Sequence, residues 1–323
     1  MSETPAHRPP TTRLVGGAIC VYDTTGPSFG ELAPVAVLHP REGDEPSSYA
    51  VGHDLTRAYY ATLDGAVCTA ADGTELWRSD IEPKWSDHYG HRPSCGLSPD
   101  GRHLWLYQPD AMAGRGRGDR WTVLDAATGE TLGGFDLETV GHGGVHLAHP
   151  GSGEVLLDVG EGQDGTVVFR GSFTDGTPQL VTYPWTDRCL IDLSPDGRHF
   201  LTVDHGQGDL TVHAYPDGEA VFTLTVDDFG YDGEECEAVI EWTGGYLDPD
   251  TLAVVLCGEV EESGEEWLRS FRVDARTGRI LGAFDSGAED SYDLRPLGDG
   301  SWLTTADSGH PVRRTLPATA PTA

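Results

Sequence analysis

Three histidines, His142, His146 and His149, stand close together, and imidazole is the commonest protein ligand for zinc. Their spacing argues against a shared ion. In a strand rising about 3.3 Å per residue, His142 and His146 are roughly 13 Å apart, and His146 and His149 face opposite ways. Zinc needs ligands about 2.0–2.1 Å from one point. A second group, "DHYGH" (Asp87–His91), is better suited, because a loop can fold Asp87, His88 and His91 together. "GPSFG" (Gly26–Gly30) spells a GxSxG nucleophile pattern, but that motif needs a strand-to-helix turn, and strands flank it on both sides here. "HGG" (His142–Gly144) echoes an oxyanion-hole string without the α/β pattern that would use it.

The loop "RGRGDR" brings Arg115, Arg117 and Arg120 into a chain of net charge −32. Arginine forks suit carboxylates and phosphates. Acidic clusters lie at Asp227–Asp228, Glu234–Glu235 and Glu261–Glu266, and Trp85, Tyr89, Trp185, Phe229 and Tyr231 fall among the same kind of loops. Exposed aromatics beside arginine are the ingredients of an interface hot spot. A surface this acidic repels phosphate backbones, so neither nucleic acid nor an anionic membrane is an expected partner. Six cysteines stand singly with no CxxC pair and read as small buried hydrophobes in a reducing compartment. No signal peptide and no membrane-length apolar run is found, which gives a cytoplasmic expectation. Lys84 is the single lysine and asparagine is absent; the Arg, Ala, Gly and Asp bias looks like coding from a high-GC genome.

The elements that must position these residues come from repeats. "LSPDGRH" occurs at Leu97–His103 and Leu193–His199, 96 positions apart. "VLDAATGETLGGFD" (Val123–Asp136) is matched by "RVDARTGRILGAFD" (Arg272–Asp285), 149 positions on. Both spacings are multiples of a period of about 49, which marks an array of similar units. Each unit has a first half of strand, Asp/Gly/Pro turn and strand, and a second half of strand, Gly turn and strand. Six of each half can be found, offset so that the chain begins with a second half and ends with a first half. Circular completion of the sheet gives an all-β chain, a β-propeller of six four-stranded blades with N- and C-terminal ring closure. "HPVRRTLP" (His310–Pro317) leaves seven blades as the alternative. The propeller is expected over residues 13–316, with flexible tails at 1–12 and 317–323.

"SPDGR" followed by an apolar strand, then "VLDAATGE", resembles the YVTN-type and PD-type bacterial propeller repeats and, more distantly, the WD-repeat proteins. Gly90-His91 and Gly141-His142 precede first-half strands, where WD repeats place a Gly-His. No YVTN string and no WD dipeptide is present. The resemblance implies a fold and leaves function to the site. Six-bladed lactonase-like propellers, as the resemblance implies, hold a metal through Asn, Asp and Glu; without asparagine that set survives only with substitutions.

Strand order sorts the loops. With strands a to d from the axis outward, a–b and c–d turns share one end, where "SPDG" and "DAATG" sit. The b–c and d–a loops share the other, and irregularity collects there, in "IEPKWSDHYGHRP", "QPDAMAGRGRGDR", "PWTDR", "DHGQGD", "DDFGYDGEE" and "GEVEESGEE". Binding residues tend to lie on loops held by a rigid scaffold. The expected interaction surface is therefore Trp85, Asp87, His88, Tyr89, His91, Arg115, Arg117, Trp185, Asp187, Arg188, Asp227, Phe229, Tyr231 and Glu235. The expected function is a non-enzymatic scaffold that binds a protein or peptide partner, with no cofactor and no metal. A propeller hydrolase or lactonase with a site at the channel mouth is the alternative.

Overall fold

The computed structural model describes residues 10–84, 92–231, 237–260 and 264–316. The expected Trp85, Asp87, His88, Tyr89, His91 and Glu235 lie outside the described residues. Two compact units are formed, one of residues up to Asp23 together with Pro34–Cys189, the other of Thr24–Ala33 together with Leu190 onward.

The first unit opens with a three-stranded sheet of β1 (Thr11–Val15), β2 (Ala18–Tyr22) and β4 (Ala36–Leu38); β3 (Gly30–Glu31) leaves for another sheet. Three antiparallel four-stranded meanders follow. They are β5 (Ser48–Val51), β6 (Arg57–Thr62), β7 (Gly65–Ala70) and β8 (Glu75–Asp80); then β9 (Ser94–Leu97), β10 (His103–Gln108), β11 (Arg120–Asp125) and β12 (Thr131–Asp136); then β13 (Gly143–Ala148), β14 (Val155–Gly160), β15 (Thr166–Thr174) and β16 (Thr177–Thr182).

In the second unit, β17 (Arg188–Leu193, entering from the first unit), β18 (His199–Asp204), β19 (Asp209–Ala214) and β20 (Ala220–Thr225) form one sheet. β21 (Glu237–Asp248), β22 (Thr251–Val260), β23 (Glu265–Asp274) and β24 (Ile280–Phe284) form the next. The last has the order β25 (Arg295–Pro296), β26 (Ser301–Thr305), β27 (Pro311–Thr315), β3. The sheets number seven among the described residues, not the six expected. "HPVRRTLP" supplies the third strand of the last sheet, and the short β3 supplies the fourth, with Val312 opposite Glu31. The closing strand is thus drawn from inside what the sequence reading took as one continuous second half.

Burial explains why these segments are strands. Central strands such as β10 (His103–Gln108, "HLWLYQ") are buried on both faces and read as continuous apolar runs, whereas outer β12 and β20 alternate. The third strand of a meander repeatedly carries a register shift against the fourth, at Cys68/Thr69, Val123/Leu124, Val212/His213 and Arg272/Val273.

The duplicated heptapeptide forms the same turn twice. Ser98 Oγ donates to Asp100 Oδ1 at 2.6 Å, and Ser194 Oγ to Asp196 Oδ1 at 2.7 Å. Each serine hydroxyl also accepts from the histidine amide that resumes the strand, at 3.0 Å from His103 and 2.9 Å from His199. Gly101 and Gly197 both have φ of 69°, a conformation glycine adopts without Cβ strain. Burial opposes ionisation of Asp100, but the Ser98 hydroxyl and the Arg102 amide and guanidinium hold its carboxyl below the usual range.

The two turn families share one end of a sheet. Ala126 N donates to Arg102 O at 2.9 Å, Tyr215 N to Arg198 O at 2.8 Å and Ala275 N to Asp250 O at 2.9 Å. Each bond ties a third-to-fourth-strand turn to the first-to-second-strand turn of its own sheet.

Candidate functional site

At the opposite end from those turns, one sheet departs from the rest. Regular strands here run six residues, as β10, β11, β18 and β19 do, while β22 and β23 run ten. Their pairing continues to Val260 opposite Glu265. The surplus stretches, Cys257–Val260 and Glu265–Leu268, form most of one wall of a cavity of about 560 Å³. That volume lies within the range of about 300–1,000 Å³ usual for ligand pockets.

A bulge in β21, which pairs with β22 in the same sheet, adds Glu241 to that wall. Ile240 pairs with Leu256 and Gly244 with Val254, so Glu241, Trp242 and Thr243 together stand opposite Val255. Bulges re-aim side chains. Gly244 at φ 100° and Gly245 at φ 131° return the chain to register, and a Cβ on Gly244 would collide with Ala253 O. Trp242 Nε1 donates to Asp204 O at 3.1 Å, which pins the bulge on its far side.

Glu241 thereby lines the cavity although only 8% of its surface is exposed. Cys257 Sγ donates to its Oε1 at 2.7 Å, and Gln207 Nε2 to its Oε2 at 3.3 Å. Burial, then the hydrogen bond to and charge of Glu241, push the Cys257 thiol up to about 12, so it stays protonated and remains a donor. Glu259, Glu266, Glu289 and Asp290 line the same cavity; Trp267 borders it, but its indole stands on the other face of the sheet, with Tyr231 and Phe271. Trp267 stacks on Tyr231, ring centroids 4.7 Å apart, and the exposed Arg269 lies 5.0 Å from the Trp267 ring and 5.5 Å from the Tyr231 ring. This end of the sheet thus carries a carboxylate-lined cavity suited to a positive charge on one face, and an aromatic pair with an arginine on the other.

The expected surface residues are placed differently from one another. In the second unit, Phe229 is buried and Tyr231 half-buried, both against Phe271, and Asp227 is exposed on the short turn Val226–Phe229. In the first unit, Trp185 is half-buried and stacks on Tyr183 at 4.9 Å, Asp187 is exposed and Arg188 half-buried.

Arg115 is not on the surface as expected. Its side chain is 0% exposed and donates to Pro83 O, Leu63 O, Asp64 and Asp110. Arg117 shares Asp110 at 2.6 Å and stays partly exposed. The arginines of this loop anchor it to its own unit.

The other chemically suggestive groups take structural partners. His146 accepts from Trp121 Nε1 at 3.0 Å, His149 Nδ1 accepts from the Ser152 amide at 2.9 Å, and His142 N donates to Gly160 O. Buried Asp119 accepts from Tyr107 Oη, Thr139 Oγ1 and the Gly141 amide at 2.9, 2.9 and 2.6 Å, so the Gly-His dipeptide at 141–142 contributes to a polar lock. Among the described residues, no three His, Cys, Asp or Glu side chains converge as a metal site, and no helix is long and apolar enough to cross a membrane.

Glu241, Cys257, Trp267, Glu289 and Asp290 were missed by the sequence reading, although the loop "GEVEESGEE" had been assigned to this end. The available signal was the pair Gly244-Gly245 inside an over-long strand, which marks a bulge.

No protein-family model matches the chain, and no curated protein matches it. Solved structures do. Hydrazine synthase of Kuenenia stuttgartiensis matches over 98% of this chain and 97% of its own, with TM-score 0.55 and 12% identity. Dihydro-heme d1 dehydrogenase NirN matches over 96% of this chain, which spans 60% of NirN, with TM-score 0.55 and 12% identity. U3-55K matches over 90% and 85%, with TM-score 0.52 and 10% identity. At these identities the likeness shows the fold alone. With the seven sheets, it defines the class: the chain is an all-β β-propeller of seven blades.

Proposed function

We propose that this protein is a non-enzymatic propeller scaffold that binds a protein or peptide partner through the end carrying the β22–β23 extension. One observation carries the reading. Strands β22 and β23 run ten residues where β10, β11, β18 and β19 run six, and the surplus lines a cavity. Trp267 and Tyr231 supply the aromatic anchor that interface centres favour, and carboxylates supply the rim.

A random-peptide display library panned against the immobilised chain tests this. The expected result is a consensus enriched on the wild type and lost on the Tyr231→Ala, Trp267→Ala double variant. A control with Arg102→Ala and Arg198→Ala in the regular turns should keep the consensus. Equal enrichment on all three proteins, or no enrichment on any, overturns the reading.

A further inference from the structure

We propose that the cavity beside Glu241 takes the basic side chain of a partner polypeptide, an ammonium or guanidinium on an aliphatic stem. This inference rests on the binding reading above and names the chemistry of its occupant.

The Glu241 side chain is almost entirely buried, borders the cavity and, among the described residues, has only a thiol and a long amide contact as donors. A carboxylate has about four lone-pair sites, and a thiol is a weak donor. Burying a carboxylate is costly unless it is paired with opposite charge. Among the described residues no arginine, lysine or histidine pairs with Glu241. The missing partner is a cation, and the cavity is the side from which one can arrive.

The walls set the shape of that cation. Val239 and Leu268 are apolar, so they suit a chain of methylenes better than a hydrated ion. Glu259, Glu266, Glu289 and Asp290 stand around the same space, and none forms an ion pair within the described residues. A cleft lined by one sign of charge focuses its field and raises the local concentration of the opposite sign.

The probes are three capped pentapeptides, glycines flanking a central lysine, arginine or norleucine, together with free butylamine, each titrated calorimetrically into the full chain. The expected result is saturable binding of the lysine or arginine peptide, at least about tenfold stronger than norleucine. Butylamine is expected to bind more weakly than the peptide. Binding should fall at least about tenfold in Glu241→Gln, which keeps the shape and an acceptor for Cys257, and also in the rim variant Glu259→Gln, Glu266→Gln.

Indifference to the norleucine replacement, or full affinity in both Gln variants, overturns the inference. Butylamine binding as tightly as the peptide overturns its polypeptide source. Failure here is distinguishable from failure of the function. If the display consensus survives Glu241→Gln but not the Tyr231→Ala, Trp267→Ala change, the binding face stands and the cation falls. If it survives both, both fall.

Discussion

Cys257 Sγ lies 2.7 Å from Glu241 Oε1, a thiol of β22 donating to a carboxylate that a three-residue bulge has turned toward it. The contact joins adjacent strands of the wall that lines the cavity. It also makes the thiol a reporter of the carboxylate's charge.

Glu241→Gln should therefore make Cys257 more reactive. Burial remains, but the acidic neighbour that helps push the thiol up to about 12 is gone. Alkylation by iodoacetamide at pH 8.5, followed by peptide mass spectrometry, should speed up about tenfold at Cys257. The rate at Cys189 should not change.

His146 gives a pH dependence of known sign. Its ring is confined by Trp121, Ser94 and Gly96, and desolvation lowers its pKa to about 3. An unfolded histidine takes up its proton near about pH 6.5. Between those values the unfolded chain binds the extra proton, so this contribution is full above pH 6.5 and is lost as pH falls toward 3. The slope is at most about 1.4 kcal/mol per pH unit. Urea denaturation at pH 7 and pH 5 should show the loss in the wild type and a smaller loss in His146→Gln.

Asp119 is fully buried with three strong donors around it. Asp119→Ala strands Tyr107 Oη, Thr139 Oγ1 and the Gly141 amide and should cost about 3 kcal/mol or more in urea denaturation. Tyr107→Phe removes one donor and should cost only about 1 kcal/mol.

Arg313 ties the last sheet to the segment that completes it. It donates to Ser301 Oγ at 3.0 Å, to Asp299 Oδ2 at 2.6 Å and to Gly26 O. Arg313→Ala should destabilise the chain by about 2–4 kcal/mol and open residues 24–33 to limited proteolysis. Unchanged cleavage there would show that the β3 pairings, the Leu32 amide on Pro311 O and the Ser308–Glu31 hydrogen bond hold the segment without Arg313.

The regular parts of the fold were legible because they repeat. "LSPDGRH" carries its own turn chemistry, and both copies fold alike. The count of six missed the seventh sheet because β3 is two residues long, too short for any period, and its partner Arg313 is remote in sequence. Arg115 was misplaced because isolated arginine is seldom buried; here two carbonyls and two carboxylates close around it. Glu241 was invisible because its bulge interrupts the alternation on which strand reading depends. Tyr231 was found because it sits in an irregular loop, but its partner Trp267 lies in a strand that looked regular.

Hydrogen–deuterium exchange of the chain with and without the display-selected peptide maps where the partner binds. Exchange is expected to slow at residues 239–241, 257–259 and 266–268, and to stay unchanged in the turns at 98–102 and 194–198. Protection confined to those turns, with none along the β22–β23 extension, would contradict the proposed binding face.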